Sequence, residues 1–170
     1  RTYDENKEYI EKYILNNINY VNYEPVNQKY ISELEDTPNF SASGCLVNSN
    51  DVQVHLNDGS MFSSCEGPDW LMFDVNGDKG PNKFGRDVFV FAIIINDDAG
   101  YAADIVDTIP RFNTVNSYPT PWEDDEAMLK TKYSRDKLPE NCQKYPNTTY
   151  CTHLVEVDGW EFKDDYPLKL

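Results

Sequence analysis

Positive charge is scarce in this sequence. Its 170 residues carry 15 Lys and Arg against 30 Asp and Glu, which gives a formal net charge of -15 and a pI near 4.3. A surface with this balance repels phosphate backbones and anionic lipid headgroups. The composition therefore argues against nucleic acid as a partner.

Catalytic signatures are missing as well. The chain has two histidines, His55 and His153, and no HExxH or GxSxG arrangement. Zinc and serine hydrolases carry such motifs at their active sites. We interpret both histidines as surface or barely buried residues on strands, and the acidic pairs as solvated turns and helix ends. The sequence predicts a protein that is not an enzyme, and a secreted glycoside hydrolase with paired carboxylates is the weakest alternative.

No CxxC spacing of zinc or redox sites is present, although there are four cysteines, Cys45, Cys65, Cys142 and Cys151. An even count without such spacing favours disulfides over reduced core thiols. Three pairings are possible. Cys45–Cys65 and Cys142–Cys151 need the least chain closure, because the first pair brackets a predicted hairpin and the second a short loop. Disulfides indicate an oxidising compartment.

Long apolar runs are absent too. The longest covers residues 88–95, VFVFAIII, whereas a membrane-spanning helix needs about 18 to 20 apolar residues. The sequence opens on Arg1-Thr2-Tyr3-Asp4 without an export signal. Because a disulfide protein needs export, we expect that an N-terminal segment has been removed.

Helical periodicity is clearest at the start of the chain. Residues 3–22 predict an amphipathic helix that ends near Pro25, with acidic residues in its first turn. Its apolar positions are Tyr9, Ile10, Tyr13, Ile14 and Ile18. Residues 27–36 predict a second short helix, and residues 37–44 a loop.

From Cys45 the period of the pattern changes to two. Residues 52–62 predict a β-hairpin around a turn at 57–60. Residues 70–73 predict a short buried strand, and residues 88–95 a central strand covered on both faces. The sheet core is therefore predicted within residues 45–95.

The remainder, residues 96–170, predicts a loop-rich region. Three prolines lie within residues 107–122. Residues 123–132 have acidic residues in the first turn and basic residues near the end, which is typical of a short helix. Residues 150–157, YCTHLVEV, predict a last strand. One domain is expected at this length.

Oxygen-bearing side chains recur between glycines in residues 74–87, DVNGDKGPNKFGRD. Such spacing lets a tight loop direct oxygens inward, as calcium prefers. The candidate ligands are Asp74, Asn76, Asp78, Asn82 and Asp87.

Two positions argue against an EF-hand in this loop. An EF-hand needs Gly at its sixth position and Glu at its twelfth, where this loop has Lys79 and Gly85. A dockerin loop is more similar, but dockerins carry two loops that each lead into a helix. The sequence favours a strand connection made of glycine turns and self-bonding Asx side chains. A calcium site outside the EF-hand class is the alternative.

Residues 73–89, FDVNGDKGPNKFGRDVF, resemble the globular region of bacterial type IV pilin-like proteins, including type II secretion pseudopilins. The C-terminal strings Cys151-Thr152, Asp158-Gly159-Trp160 and Asp165-Tyr166-Pro167 resemble it independently. The resemblance spans about 73–167. No residue of the N-terminal pilin signature is in this sequence.

The resemblance implies an α+β fold in which the amphipathic half of a long N-terminal helix, here residues 1–24, packs on an antiparallel sheet. It implies that a preceding apolar half, processed and methylated at its N-terminus, anchors the subunit in the inner membrane and then packs in the filament core. Pilins often close a C-terminal loop with a disulfide, a role that suits Cys142–Cys151.

The resemblance therefore predicts a pilin-like domain over residues 1–170 that forms a structural, non-catalytic subunit of a type IV pilus or pseudopilus, with other pilin subunits as partners. No cofactor is required, and Ca²⁺ is possible at the loop. Twelve Tyr and three Trp suit an alternative, an extracellular calcium-stabilised module that binds carbohydrate or a protein partner.

Overall fold

The computed structural model describes residues 2–41, 44–65, 70–92 and 134–168. The predictions for residues 96–133, among them the helix at 123–132, lie outside these ranges. The helices are α1 (Tyr3–Tyr13), α2 (Gln28–Glu35), α3 (Leu138–Lys144) and α4 (Tyr150–Val157), with a 3₁₀ turn at Leu15–Asn17. The strands are β1 (Tyr20–Pro25), β2 (Val52–Leu56), β3 (Met61–Ser64), β4 (Trp70–Asp74) and β5 (Val88–Ala92).

Helix α1 begins at a capping box and is shorter than the sequence predicted. The Thr2 hydroxyl accepts from the Glu5 backbone N–H at 3.3 Å, and the Glu5 carboxylate accepts from the Thr2 backbone N–H at 2.7 Å. The prediction of helix to residue 22 was wrong, because residues 20–25 form β1 against β2. Three asparagines between residues 16 and 19 are poor helix formers, and Tyr and Val after them favour a strand.

The sheet is an antiparallel meander in the order β1-β2-β3-β4-β5. The predicted hairpin is confirmed: the Leu56 backbone N–H donates to the Ser60 carbonyl at 2.9 Å. Gly59 takes a φ of +89° in this turn, a conformation that glycine adopts without strain. Strand β5 is buried on both faces as predicted, but among the described residues it lies at the edge of the sheet and not at its centre, because β4 is the only strand that pairs with it there.

The two faces of the sheet carry different helices. Helix α1 covers one face, where it packs in a cluster made of Ile10, Ile14, Leu15, Val52, Val54, Phe62 and Leu71. Helix α2, which confirms the prediction for residues 27–36, covers the other face with Tyr30, Ile31 and Leu34. The structure is therefore α+β, as predicted.

The C-terminal part is helical where a strand was predicted. Residues 150–157 form α4, and the prediction failed because their β-branched residues suit either element. Buried Cys151, Leu154 and Val155 follow the i, i+3, i+4 spacing of a helix face. Within the described ranges, every helix is too short or too polar to cross a bilayer.

Both local disulfides form. Cys45 is bonded to Cys65 and Cys142 to Cys151. The first joins the segment after α2 to the end of β3, and the second joins α3 to α4. Sequence reasoning on loop closure predicted both pairs.

Candidate metal centre

The connection between β4 and β5 brings two carboxylates together inside the protein. Asp74 is the last residue of β4 and pairs with Val88, the first residue of β5. Asp87 directly precedes Val88 in the chain, and the strand pairing therefore brings it close to Asp74. The Val75 backbone N–H donates to the Asp87 carbonyl at 3.0 Å and extends the ladder by one step. Asp74 and Asp87 are each 1 % exposed.

Hydrogen bonds from neutral groups hold both carboxylates. Asp74 accepts from the Tyr30 hydroxyl at 2.7 Å and from the Asn76 backbone N–H at 3.0 Å. Asp87 accepts from the backbone N–H groups of Asn82 and Lys83 at 3.0 and 2.7 Å. The bond from the Asn76 backbone to Asp74, two residues earlier, is a self-bonding Asx contact of the kind that the glycine-turn interpretation predicted.

Burial dominates the electrostatics of this centre. Removal from water raises the pKa of Asp74 to about 6, although its bonds from Tyr30 and Asn76 act in the opposite direction. Burial and the neighbouring Asp74 carboxylate raise the pKa of the Tyr30 hydroxyl. Tyr30 is therefore the donor in this pair.

Two asparagine amides complete what we call the loop cluster: Asp74, Asn76, Asn82 and Asp87. The Asn76 Nδ2 lies 3.5 Å from an Asp87 carboxylate oxygen, and the Asn82 Nδ2 donates to the Glu33 carboxylate. Asn82 has a φ of +47°, which asparagine tolerates better than most residues. The Oδ1 atoms of Asn76 and Asn82 are buried and have no hydrogen-bond partner among the described residues.

Asp78, the fifth predicted ligand, lies at the edge of this centre. Its side chain is 59 % exposed, and its Oδ1 accepts from Gln53 Nε2 at 3.1 Å on strand β2. Its other oxygen lies 4.0 Å from His55 Nδ1. The structure thus brings four of the five predicted ligands into one hydrogen-bonded group.

No three acidic, His or Cys side chains converge into a ready-made metal cage within the described ranges. Any cation at the loop cluster would therefore rest on both carboxylate and amide oxygens, a mixture that suits a hard ion such as Ca²⁺ and not zinc.

Sequence reasoning missed the contribution of α2. Tyr30 and Glu33, which contact Asp74 and Asn82, are 44 and 49 residues away along the chain. The sequence predicted a short helix over residues 27–36, but nothing in it indicated which loop that helix would contact.

The histidines differ from each other. His55 lies on β2 as predicted and is partly exposed, with Nε2 3.1 Å from a Glu24 carboxylate oxygen. His153 is only 5 % exposed and lies on α4, so its prediction as a surface or barely buried strand residue was wrong. Its Nδ1 lies 3.3 Å from a Glu156 oxygen.

We expect Tyr30→Phe to lower the free energy of unfolding by about 1.5 to 3 kcal/mol, the usual range for a hydrogen bond to a charged group. The change removes the donor to Asp74 and keeps the buried ring. Urea unfolding would measure it. Tyr20→Phe, at an exposed position on β1, is the matched control and should stay within about 0.5 kcal/mol. If Tyr30→Phe lowered the free energy of unfolding by no more than Tyr20→Phe does, the Tyr30 hydroxyl would not stabilise Asp74.

Fold and site together define a disulfide-bonded α+β domain with a buried acidic loop, and its two disulfides indicate an extracellular or secreted protein. The chain belongs to DUF6613, a family of unknown function, whose model matches residues 1–170. No curated protein and no solved structure matches it.

Proposed function

We propose that this chain is the globular part of a type IV pilin or related pseudopilin and serves as a structural, non-catalytic subunit of a surface filament. The observation that carries the proposal is the position of α1, an N-terminal amphipathic helix that packs on one face of an antiparallel sheet. That arrangement is what the resemblance of residues 73–89 implies for a pilin-like domain.

The two sides of α1 suit a filament. Ile10 and Ile14 are buried against the sheet, and Asn6 donates through Nδ2 to the Asn50 carbonyl at 2.8 Å, which fixes the helix before β2. The opposite side exposes Asp4, Glu8 and Lys12. In the proposed assembly this polar side faces neighbouring subunits, while an apolar helix that precedes Arg1 packs in the filament core.

The C-terminal region supports the same function. Cys142–Cys151 closes the segment between α3 and α4 beside β5, where Thr152 Oγ1 donates to the Val90 carbonyl at 2.6 Å. A disulfide-closed region fixed to the last strand suits a surface that packs against other subunits outside the cell. The proposed partners are other pilin subunits, and the inner membrane before assembly.

The native protein tests this proposal directly. We expect mass spectrometry of the protein from its own cells to find, before Arg1, about 20 apolar residues, the length of a membrane helix, with a methylated N-terminal residue. We also expect an antibody against the chain to label filaments sheared from the cell surface. An N-terminus left by an ordinary secretion signal, together with soluble monomer in the medium, would rule out the filament function.

An extracellular binding module is the second candidate, and an exposed aromatic pair favours it. Trp160 is 60 % exposed and Phe162 51 % exposed in the segment after α4. Such rings stack on apolar faces of sugars. In this case the isolated domain would bind a glycan or protein with measurable affinity, and Trp160→Ala would abolish that binding. A domain that serves only as a filament subunit would show no ligand binding that depends on Trp160.

A further inference from the structure

We propose that the loop cluster binds one calcium ion through side-chain oxygens of Asp74, Asn76, Asn82 and Asp87. The ligands all belong to one loop of one chain, so the site does not depend on filament assembly. The structure narrows the ligand set that the sequence suggested, because Asp78 is largely exposed and is held by Gln53 on β2.

The first argument is uncompensated charge. Asp74 and Asp87 are almost completely buried, and within the described ranges neither is paired with Lys, Arg or His. Lys83 lies in the same loop, but its ammonium binds the Asp36 carboxylate at 2.7 Å and the Glu33 carbonyl at 3.0 Å. Burying two carboxylates is costly unless a positive charge compensates them. A bound divalent cation supplies that charge.

The second argument is independent of charge and concerns Asn82. This residue is 1 % exposed, and its Oδ1 has no hydrogen-bond partner in the described part of the chain. Its Nδ2 donates to Glu33, so the oxygen, on the other branch of the planar amide, is turned away from that carboxylate. Its backbone N–H donates to Asp87, which keeps Asn82 beside the acidic pair.

Asn76 repeats the pattern on the other side of the cluster. Its Oδ1 is also buried without a partner, while its backbone N–H donates to Asp74 and its Nδ2 points to Asp87. Buried polar atoms in native proteins nearly always have partners. Two unpartnered amide oxygens, on residues whose backbone N–H groups bond to the two buried carboxylates, support a bound cation in the loop cluster.

The chemistry favours calcium. All four side chains offer hard oxygen atoms, and a carboxylate oxygen that accepts one hydrogen bond keeps a lone pair for a metal. Ca²⁺ takes six to eight oxygens in flexible geometry, so water and backbone carbonyls can complete its shell. Mg²⁺ requires near-ideal octahedral geometry and gives up its water reluctantly.

Calcium titration of the whole chain, stripped with a chelator, tests the site. We expect one ion per chain by calorimetry. We also expect the melting temperature to rise by roughly 5 to 10 °C when free Ca²⁺ is about a hundred times Kd, because a ligand that binds only the folded state stabilises it. Mg²⁺ at the same concentration should give a much smaller rise.

A pair of variants at Asn76 locates the site. This residue is partly exposed, so substitution there perturbs the core less than at Asn82. We expect Asn76→Ala to weaken calcium binding at least ten-fold, and Asn76→Asp to keep or tighten it because a carboxylate replaces the amide oxygen. Asp164→Asn, which removes one exposed charge outside the loop, is the control and should leave Kd unchanged.

Three results would overturn the proposal. One is the absence of heat and of any melting shift with millimolar Ca²⁺ in protein that circular dichroism shows to be folded. Another is an equal response to Mg²⁺, which would remove the assignment to calcium. The third is an unchanged Kd in Asn76→Ala or, should that variant not fold, a Kd more than ten-fold weaker in Asn76→Asp. None of these results bears on the filament, since all are measured on the isolated chain.

Discussion

Replacement of Asn147 by alanine is expected to lower the free energy of unfolding by about 3 kcal/mol, among the largest effects of a single substitution in this protein. Asn147 is fully buried between α3 and α4. Its Nδ2 donates to the carbonyls of Ser41 and Cys45 at 2.7 and 3.3 Å, and its Oδ1 accepts from the Ser41 backbone N–H at 3.0 Å. Alanine leaves all three backbone groups without that partner, at about 1 kcal/mol each.

The backbone around Asn147 leaves little room to compensate for the loss. The Cys45 backbone N–H donates to the Asn147 carbonyl at 2.7 Å. A Cβ placed on Gly44 would lie 2.5 Å from the Asn147 carbonyl and side chain. The two segments are therefore in close contact around Asn147, so we do not expect another residue to take over the bonds of its side chain.

Urea unfolding of Asn147→Ala and of two comparison variants would test this expectation. Asn22→Ala, at an exposed position on β1, should change the free energy of unfolding by less than about 0.5 kcal/mol. Asn147→Asp should be at least as harmful as Asn147→Ala, because its carboxylate faces two carbonyls that need a donor. A loss below about 1 kcal/mol in Asn147→Ala would contradict the role assigned to this side chain.

Removal of the Cys45–Cys65 disulfide is expected to have a similar effect. The bond closes a loop with a sequence separation of 20, and the chain-entropy model gives about 3 kcal/mol for that length. The double variant Cys45→Ala with Cys65→Ala should therefore melt about 6 to 12 °C below the parent protein. Both sulfurs are buried, so alanine also leaves a small cavity that adds to the loss.

Treatment with a reductant distinguishes the effect of losing the disulfide bond from the effect of the cavity that alanine leaves. Parent protein in excess reductant should lose at least as much stability as the double variant, because Cys142–Cys151 is then broken as well. The double variant should lose further stability in reductant only through that second disulfide. A double variant that melts within about 2 °C of the parent in oxidising buffer would show that Cys45–Cys65 does not stabilise the fold.

The parts of the fold that sequence reasoning predicted correctly are those specified by neighbours in the chain. The 52–62 hairpin has alternating residues around an Asn-Asp-Gly turn, α2 has a capping Asn27 whose Oδ1 accepts from the Tyr30 backbone N–H at 2.8 Å, and both disulfides close short loops. In each case local geometry and sequence pattern favour the same structure.

The wrong predictions are those in which tertiary contacts decided between two allowed structures. Residues 20–25 became β1 because β2 was available to pair with them. Residues 150–157 became α4 because a helix places Cys151 toward Cys142 and Leu154 in the core. The local sequence pattern of these two segments does not show which distant residues they will contact.

The candidate metal centre was likewise predicted only in part from the sequence. The spacing of residues 74–87 indicated Asp74 and Asp87, whose proximity follows from an antiparallel strand pair. Tyr30 and Glu33 could not be predicted, because their contacts depend on how α2 packs across the sheet. The contact of Asp78 with Gln53 could not be predicted either, because it depends on how the loop lies against β2.

The burial of Asn147 also has a consequence for production of the protein in eukaryotic cells. Asn147-Thr148-Thr149 is an acceptor sequence for N-linked glycans, yet in the folded chain the side-chain nitrogen of Asn147 is buried and donates to the carbonyls of Ser41 and Cys45. A glycan attached during synthesis would occupy the space of those hydrogen bonds and prevent the C-terminal helices from docking. Secretion through such a host should therefore yield misfolded chains unless Thr149 is first replaced by a residue that ends the acceptor sequence.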